Sequence, residues 1–181
     1  MKIFITGAAG FIGFSLANSF LNKGYRVYGI DNFDQYYSIK IKKKRLNILK
    51  KYKNFVFNKV DILNYAKLFN TINNKKIDVI IHLAAQTGVR YSIINPNKYL
   101  DVNISGFMNL IKAIKNKKIN KFIYASSSSV YGDSKKFPLK ENDNLNPKNI
   151  YGLSKKINEE IANLKQYNFK INFIGLRFFT I

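Results

Sequence analysis

The chain has 181 residues, of which 46% are hydrophobic, and this length is enough for one domain with a sizeable core. It contains no cysteine and one histidine, His82, which excludes disulfides and thiolate metal sites and argues against a zinc site, so no metal is expected. The net charge of +21 comes from 31 basic residues, only four of them arginine. We interpret the lysines as a solvated surface and expect no nucleic-acid partner, because specific readers of bases favour arginine.

The N-terminal third of the chain alternates strands with helices. A short apolar strand, Lys2–Thr6, runs into a glycine-rich turn, and helical spacing follows over residues 11–23. A second strand over residues 25–31 precedes a basic helix over residues 38–51, and residues 54–58 form a third strand. The glycines interrupt what would otherwise resemble a secretory signal, and no run of 18 apolar residues occurs, so we expect a cytoplasmic protein with no membrane partner.

The rest of the chain continues this alternation. Residues 77–83 are almost continuously apolar, as expected of a strand in a parallel sheet that is covered on both faces. The pattern further predicts helices over residues 64–73, 96–116 and 151–166, strands over residues 119–125 and 170–178, and a polar loop over residues 133–147. Six strand–helix repeats predict an α/β fold in one domain, residues 1–181: a doubly wound parallel sheet of order 3-2-1-4-5-6 with helices on both faces.

A glycine-rich loop joins the first strand to the first helix. Gly7, Gly10 and Gly13 form a G-x-x-G-x-x-G pattern, and the helix starts at Phe11 and Ile12. Glycine lets backbone N–H groups approach a pyrophosphate closely, and a helix N-terminus adds a positive dipole. The loop therefore predicts a dinucleotide site, with a purely structural turn between strand and helix as the alternative.

Acidic residues follow the second and third predicted strands. Asp31, with Asn32 beside it, can accept hydrogen bonds from the adenosine ribose and would repel a 2′-phosphate, which favours NAD over NADP. Asp61 and Ile62 are expected to meet the adenine edge. For Asp61 a helix-capping role is the alternative, and for Asp31 the alternative is a polar residue that starts a loop.

A tyrosine and a lysine four residues apart on a helix share one face, and the ammonium favours the phenolate. The chain contains this spacing three times, at Tyr36/Lys40, Tyr131/Lys135 and Tyr151/Lys155. We favour the last pair as base and partner, because only Tyr151 opens a clear helix between the fifth and sixth strands. Tyr36 lies in the loop beyond Asp31, and we expect this loop to be at the wrong end of the cofactor for a catalytic base.

Four serines, Ser126 to Ser129, follow the fifth predicted strand. In an open α/β sheet, ligands bind beyond the carboxyl ends of the strands, so these hydroxyls are placed to contact a sugar. A polar turn without a ligand is the alternative.

Taken together, these motifs resemble the extended short-chain dehydrogenase/reductase superfamily over essentially the whole chain. The matching segments are TGAAGFIG (residues 6–13), HLAAQ (82–86), VN (102–103), SSSSVYG (126–132), YGLSK (151–155) and LRFF (176–179). The resemblance implies a Rossmann-type fold that binds NAD, with Ala84, Ala85 and Asn103 as additional cofactor contacts.

Within the superfamily, residues 31–38, 84–92 and 176–180 look most like UDP-glucuronate 4-epimerase. UDP-glucose 4-epimerases and sugar-nucleotide 4,6-dehydratases are the nearest rivals. Dehydratases typically carry Asp-Glu after the catalytic serine or threonine, whereas this chain has Ser128 and Ser129 there, which favours an epimerase.

The resemblance also implies roles for individual residues. Tyr151 would take the proton from the sugar 4-hydroxyl, Lys155 would hold the nicotinamide ribose and lower the pKa of the tyrosine, and Ser127 would hydrogen-bond the same hydroxyl. Ser128, Arg90 and Thr180 would contact a UDP-sugar substrate.

Members of this family usually continue well past the segment that matches residues 176–180, and their later part completes the substrate pocket. We therefore expect the substrate domain to be missing, turnover by the chain alone to be weak or absent, and a C-terminal partner chain or a homodimer to be possible partners. A catalytically silent NAD-binding fragment is the first alternative. Nucleic-acid binding by the basic segment over residues 40–53 is a second alternative.

Overall fold

Six parallel strands form one sheet in the computed structural model, which describes residues 1–164 and 171–180. The sheet order is β3-β2-β1-β4-β5-β6, as predicted. The strands are β1 (Lys2–Thr6), β2 (Arg26–Asp31), β3 (Phe55–Lys59), β4 (Val79–His82), β5 (Lys121–Ser127) and β6 (Asn172–Phe178). Together with the flanking helices, this topology confirms the predicted Rossmann-type fold.

Helices connect successive strands. They are α1 (Phe11–Asn22), α2 (Ile39–Leu49), α3 (Tyr65–Asn73), α4 (Val89–Ile94), α5 (Pro96–Tyr99), α6 (Gly106–Ile114) and α7 (Ile150–Asn163). A π-helical turn, Leu100–Ser105, joins α5 to α6, and a 3₁₀ turn, Ser128–Val130, follows β5. None of the helices within residues 1–164 and 171–180 is long and apolar enough to span a membrane.

Alternation along the central strands sends apolar side chains to both faces of the sheet, and each face has its own core. On one face, Phe4, Ile80 and Phe122 pack with residues of α3 and α6, such as Leu68 and Phe107. On the other face, Ile3, Ile5 and Ile81 pack against Ala17 and Leu21 of α1. The two cores fix the sheet between its helices, so the carboxyl ends of all six strands meet at one edge.

The structure differs from the sequence prediction at several boundaries. The predicted helix over residues 96–116 is divided by the π-helical turn, and the short helix α4 was not predicted. β5 extends through Ser127, so two of the four serines belong to the strand itself. The last residues of the predicted α7 helix, 165 and 166, and the first residue of the predicted sixth strand, 170, lie outside the described residues.

Candidate active site

A cleft of about 850 Å³ opens at the carboxyl edge of the sheet, where the chain connections from β1 and β4 diverge. This is the topological switch point at which open α/β sheets bind ligands. Fourteen of the predicted site residues line the cleft: Gly7, Gly10, Phe11, Ile12, Gly13, Asp31, Asn32, Ile62, Ala84, Ala85, Ser127, Tyr151, Lys155 and Thr180.

The glycine loop forms a tight cradle at one side of this cleft. Gly7 has φ of 70°, and the N–H of Gly10 donates to its carbonyl at 3.0 Å, which closes the turn. A Cβ on Gly13 would lie 2.1 Å from the Gly7 carbonyl oxygen, so only glycine lets α1 start this close to the loop. No acidic side chain occupies the first turn of α1, and none caps its N–H groups. The cradle thus fits the phosphates of a dinucleotide.

Asp31 closes the cleft at the end of β2. Its carboxylate accepts hydrogen bonds from the N–H groups of Ala9 at 3.2 Å and Phe33 at 2.9 Å, and it is 6% exposed. The ammonium of Lys42 lies 3.8 Å from the same carboxylate. These contacts fix an anionic acceptor beside the glycine loop, where a nucleotide ribose can meet it.

The start of α7 brings Tyr151 next to the end of β5. Asn149 caps the helix by accepting a hydrogen bond from the N–H of Gly152 at 2.8 Å. A Cβ on Gly152 would lie 2.5 Å from the Ser129 carbonyl oxygen, so glycine allows the helix to pack directly on the turn after Ser127. Tyr151 and Ser127 therefore face the same end of the cleft.

Lys155 lies one helical turn after Tyr151 and is almost fully buried, with 3% of its surface exposed. Its ammonium donates to the carbonyl of Ala125 at 2.9 Å and lies 5.9 Å from the centre of the Tyr151 ring. Burial lowers the pKa of Lys155 to about 8, so it still carries its proton at neutral pH.

The pKa of Tyr151 in the free chain is raised, which differs from the expectation that Lys155 lowers it. Burial is the main cause, the charge of Tyr37 adds to it, and the hydroxyl of Ser127 acts in the opposite direction. The Lys155 ammonium is directed at a backbone carbonyl and is not among the causes of the shift. The free chain therefore holds Tyr151 as a neutral phenol at pH 7.

His82, the one histidine, lies in β4 and not in the cleft. Its Nδ1 is hydrogen-bonded to the hydroxyl of Thr6 at 2.8 Å, and that hydroxyl accepts the N–H groups of Leu83 and Ala84. Burial, and then the charge of Lys155, lower the pKa of His82 to about 3. His82 is therefore a neutral imidazole held in the strand by Thr6.

Four predicted site residues do not line the cleft, and the structure gives three of them other contacts. They are Asp61, Arg90, Asn103 and Ser128. The carboxylate of Asp61 accepts from the Asn32 amide and the Leu63 N–H, while Asn64 caps α3 in its place. The carbonyl of Ser128 holds the N–H of Tyr131, and the side chain of Arg90 is exposed.

Asn103 is buried behind the wall of the cleft, in the π-helical turn. Its side chain exchanges two hydrogen bonds with the backbone of Gln86, at 2.8 and 3.0 Å, and donates to the Ser154 hydroxyl at 2.9 Å. Asn103 therefore ties the loop after β4 to the helix that carries Tyr151 and Lys155, instead of reaching the cofactor space itself. π-helical turns often occur at such functional positions.

Sequence reasoning missed the loop over residues 33–37, which we name the strap. It leaves β2 and crosses the cleft to α4 and α5, where Asp34 forms an ion pair with Lys98 at 2.9 Å. The ring of Tyr36 lies 5.0 Å from that of Tyr91, and the hydroxyls of Tyr37 and Thr87 are 3.3 Å apart. Tyr36, expected at the wrong end of the cofactor for a base, thus lines the same cleft as Tyr151. The adjacent tyrosines Tyr36 and Tyr37 were the sequence signal that could have indicated this loop.

α2 also contributes to the cleft, through Ile41, Lys42 and Arg45. The sequence reading treated this basic segment as a solvated face. That holds for Lys43 and Lys44, which are exposed, whereas Lys42 and Arg45 turn towards the cleft.

Comparisons with known proteins agree with this geometry. The chain is 44% identical over 182 residues to Protein CapI of Staphylococcus aureus, covering 100% of this chain and 54% of that protein. It is 38% identical over 187 residues to UDP-glucuronate 4-epimerase 4 of Arabidopsis thaliana, covering 100% of this chain and 42% of that protein. The crystal structure of Bacillus cereus UDP-glucuronic acid 4-epimerase with UDP-glucuronic acid and NAD superposes with a TM-score of 0.91 at 38% identity, over 99% of this chain and 57% of that one.

The fold and its glycine cradle define a Rossmann-type nucleotide-binding domain. More specifically, residues 4–180 match the family model described as GDP-mannose 4,6 dehydratase, and the chain belongs to that family. The chain spans about half the length of the relatives named above.

Proposed function

We propose that the chain is the cofactor-binding and proton-transferring part of a nucleotide-sugar 4-epimerase that acts on UDP-glucuronate with NAD. The observation that carries this proposal is that Ser127, Tyr151 and Lys155 come together in one cleft. The glycine loop lines the same cleft. The relatives support the choice of reaction, since several are named UDP-glucuronate 4-epimerases.

The residues present fit NAD. The glycine loop leaves no room for a Cβ at Gly13. No side chain caps the N-terminus of α1 there, so its N–H groups can bind phosphates. Asp31 supplies an acceptor for ribose hydroxyls, and its charge disfavours a 2′-phosphate. The Bacillus cereus epimerase was crystallised with NAD, which supports the same cofactor here.

The three residues at the far end of the cleft would divide the proton chemistry. Tyr151 would accept the proton of the sugar 4-hydroxyl and later return it, while Ser127 holds that hydroxyl in line. When bound, NAD would supply the hydride acceptor and donor for sugar C4, and a positive charge beside the phenol. That added charge matters because burial keeps Tyr151 protonated in the free chain. Lys155, protonated at neutral pH, would hold the nicotinamide ribose.

Epimerisation is favoured over dehydration by the charges that line the cleft. Among the described residues of its wall, the only carboxylates are Asp31 and Asp34, which belong to the end of β2 and the strap. The positions where dehydratases carry Asp-Glu hold Ser128 and Ser129, and the Ser129 hydroxyl is hydrogen-bonded to Ser127 at 3.1 Å. No acid from this part of the chain is placed to eliminate water from a sugar.

Contacts to the UDP part of the substrate would come from outside this chain. The relatives are about twice as long, and binding of the remote nucleotide is the kind of energy that aligns a reacting sugar. We propose that a further part, corresponding to the half of the relatives that these residues do not match, completes the site. By itself the chain would then bind NAD with little or no turnover.

The test is a chimera in which residues 1–180 are joined to the part of the Bacillus cereus epimerase that this chain does not match. We expect the chimera to convert UDP-glucuronate to UDP-galacturonate with NAD present. The Tyr151→Phe chimera should still bind NAD but lose activity by about a hundredfold or more, because general-base catalysis contributes on this scale.

Separation of the two UDP-sugars by chromatography gives the readout. The Tyr131→Phe chimera is the matched control, since Tyr131 also precedes a lysine by four residues but bonds Arg177 instead. A folded chimera that binds NAD and UDP without forming product, or full activity in the Tyr151→Phe form, would contradict the proposal.

A further inference from the structure

Arg45 lies at the wall of the cleft, and its guanidinium has no acidic partner among the residues that the structure describes. Its side chain is half-buried and lines the cleft from α2. Within residues 1–164 and 171–180, its guanidinium has neither an ion pair nor a hydrogen bond, and its one recorded contact is the ring of Phe11, 5.7 Å away. A guanidinium carries five donors, and leaving them unsatisfied in a partly buried place is unfavourable.

The neighbouring cation on the same helix is already engaged. Lys42 lies 3.8 Å from the Asp31 carboxylate and donates to the Asp34 carbonyl at 3.1 Å. Arg45 is three residues further along, on the same face of the helix, and none of the ion pairs in the described part of the chain involves it. The ammonium of Lys42 is therefore already paired, whereas the donors of the Arg45 guanidinium are available to a ligand.

The position of Phe11 indicates which part of the cleft lies next to Arg45. Phe11 is the first residue of α1, immediately after the glycine loop, and its ring is 60% exposed over the cleft. The guanidinium therefore lies near the residue that follows the glycine loop, and Arg45 lines the same cleft as the loop glycines. Arginine matches phosphate with two parallel hydrogen bonds, and stacking on a ring fixes its plane.

We infer that Arg45 is a cofactor-binding residue that clamps the pyrophosphate of the dinucleotide against the glycine loop. This rests on the proposed function only in that a dinucleotide occupies the cleft. The pyrophosphate is favoured over a 2′-phosphate because Lys42 stands next to Asp31, where the ribose is expected, whereas Arg45 stands next to Phe11 and the loop.

Calorimetric titration of the whole chain with adenosine, ADP, NAD and NADP tests the inference without any need for activity. We expect Arg45→Gln to weaken ADP and NAD binding about tenfold, the loss of one charged hydrogen-bonded contact, and to leave adenosine binding unchanged. Arg45→Lys should recover part of the loss, because it keeps the charge but not the fork. Lys43→Gln, on the exposed side of the same helix, is the control and should bind ADP and NAD as the unchanged chain does.

Each other outcome overturns the inference in a recognisable way. Equal losses for adenosine and ADP in Arg45→Gln would mean that the side chain only packs the site. A loss of affinity confined to NADP would place Arg45 at the 2′-phosphate. An equal loss of affinity in Lys43→Gln would show that the effect comes from the overall positive charge and not from Arg45 itself. If the unchanged chain binds none of the four compounds, the proposed function itself fails.

Discussion

At the scale of single residues, the site depends on polar groups held where burial changes their chemistry. Lys155 is 3% exposed, and within the described residues its ammonium makes one hydrogen bond, to the Ala125 carbonyl. Burial lowers its pKa to about 8. Burying an ammonium that has lost most of its contact with water is unfavourable for folding. The fold nevertheless contains such a group beside Tyr151. The role proposed for Lys155 would thus oppose the stability of the fold at this position.

Replacing this lysine should therefore stabilise the free chain. The ordinary lysine pKa of 10.5 holds in the unfolded state, and it falls to about 8 on folding, so folding is opposed most below pH 8 and least above 10.5. We expect Lys155→Met to raise the free energy of unfolding by about 1–3 kcal/mol at pH 7, and this gain should shrink between pH 8 and 10.5.

Denaturant unfolding at pH 7 and pH 10 measures this effect. Lys156→Met is the control, since Lys156 also donates to a backbone carbonyl, that of Leu145 at 3.0 Å, but is less buried. A Lys155→Met chain that is less stable than the unchanged one at pH 7 would show that the hydrogen bond outweighs the burial of charge.

At the scale of elements, the strap joins two parts of the cleft that are far apart in sequence. It is anchored at one end by β2 and at the other by the Asp34–Lys98 ion pair and the contact of Tyr36 with Tyr91. The strap lines the cleft, so a dinucleotide bound against the glycine loop would lie beneath it. Its attachment should therefore influence how fast the cofactor leaves.

Lys98→Met should accelerate dissociation of NAD about two- to fivefold with little change in the stability of the fold, because a partly exposed ion pair contributes at most about 1 kcal/mol. Stopped-flow displacement of NAD gives the rate. Lys136→Met breaks another ion pair of 2.9 Å, to Asp143, away from the cleft, and should leave the rate unchanged. Equal rates in the Lys98→Met and unchanged chains would show that the strap does not hold the cofactor.

Elements with a strong local pattern were predictable from sequence. The strands, their order and the glycine loop follow from apolar periodicity and from the backbone needs of Gly7 and Gly13. The roles of Asn103 and the strap were not predictable, because their partners, Gln86 and Lys98, come from other segments and are set by tertiary packing. The same holds for the pKa of Tyr151, which depends on burial and not on its spacing to Lys155.

At the scale of the whole molecule, the parallel sheet brings distant segments to one edge. The glycine loop after β1, Asp31 after β2 and Ser127 at the end of β5 share a single cleft although the chain between them spans most of the domain. This arrangement is the basis for the proposal that the described residues form a cofactor-binding unit. We propose above all that this cleft binds NAD through the glycine cradle.

Calorimetric titration of NAD into the chain and into its Gly10→Val variant tests that claim most directly. Chain neighbours apart, a Cβ at position 10 would meet one atom of the described residues within 4 Å, the Gly7 carbonyl oxygen at 3.1 Å. A small shift of the loop relieves this tight contact, so we expect the variant to fold with its side chain in the phosphate cradle. We predict one NAD per chain for the unchanged protein and binding at least about tenfold weaker for Gly10→Val, a difference of about 1.4 kcal/mol. Absence of NAD binding by the folded chain, or equal binding by the two forms, would show that the glycine cradle does not bind NAD.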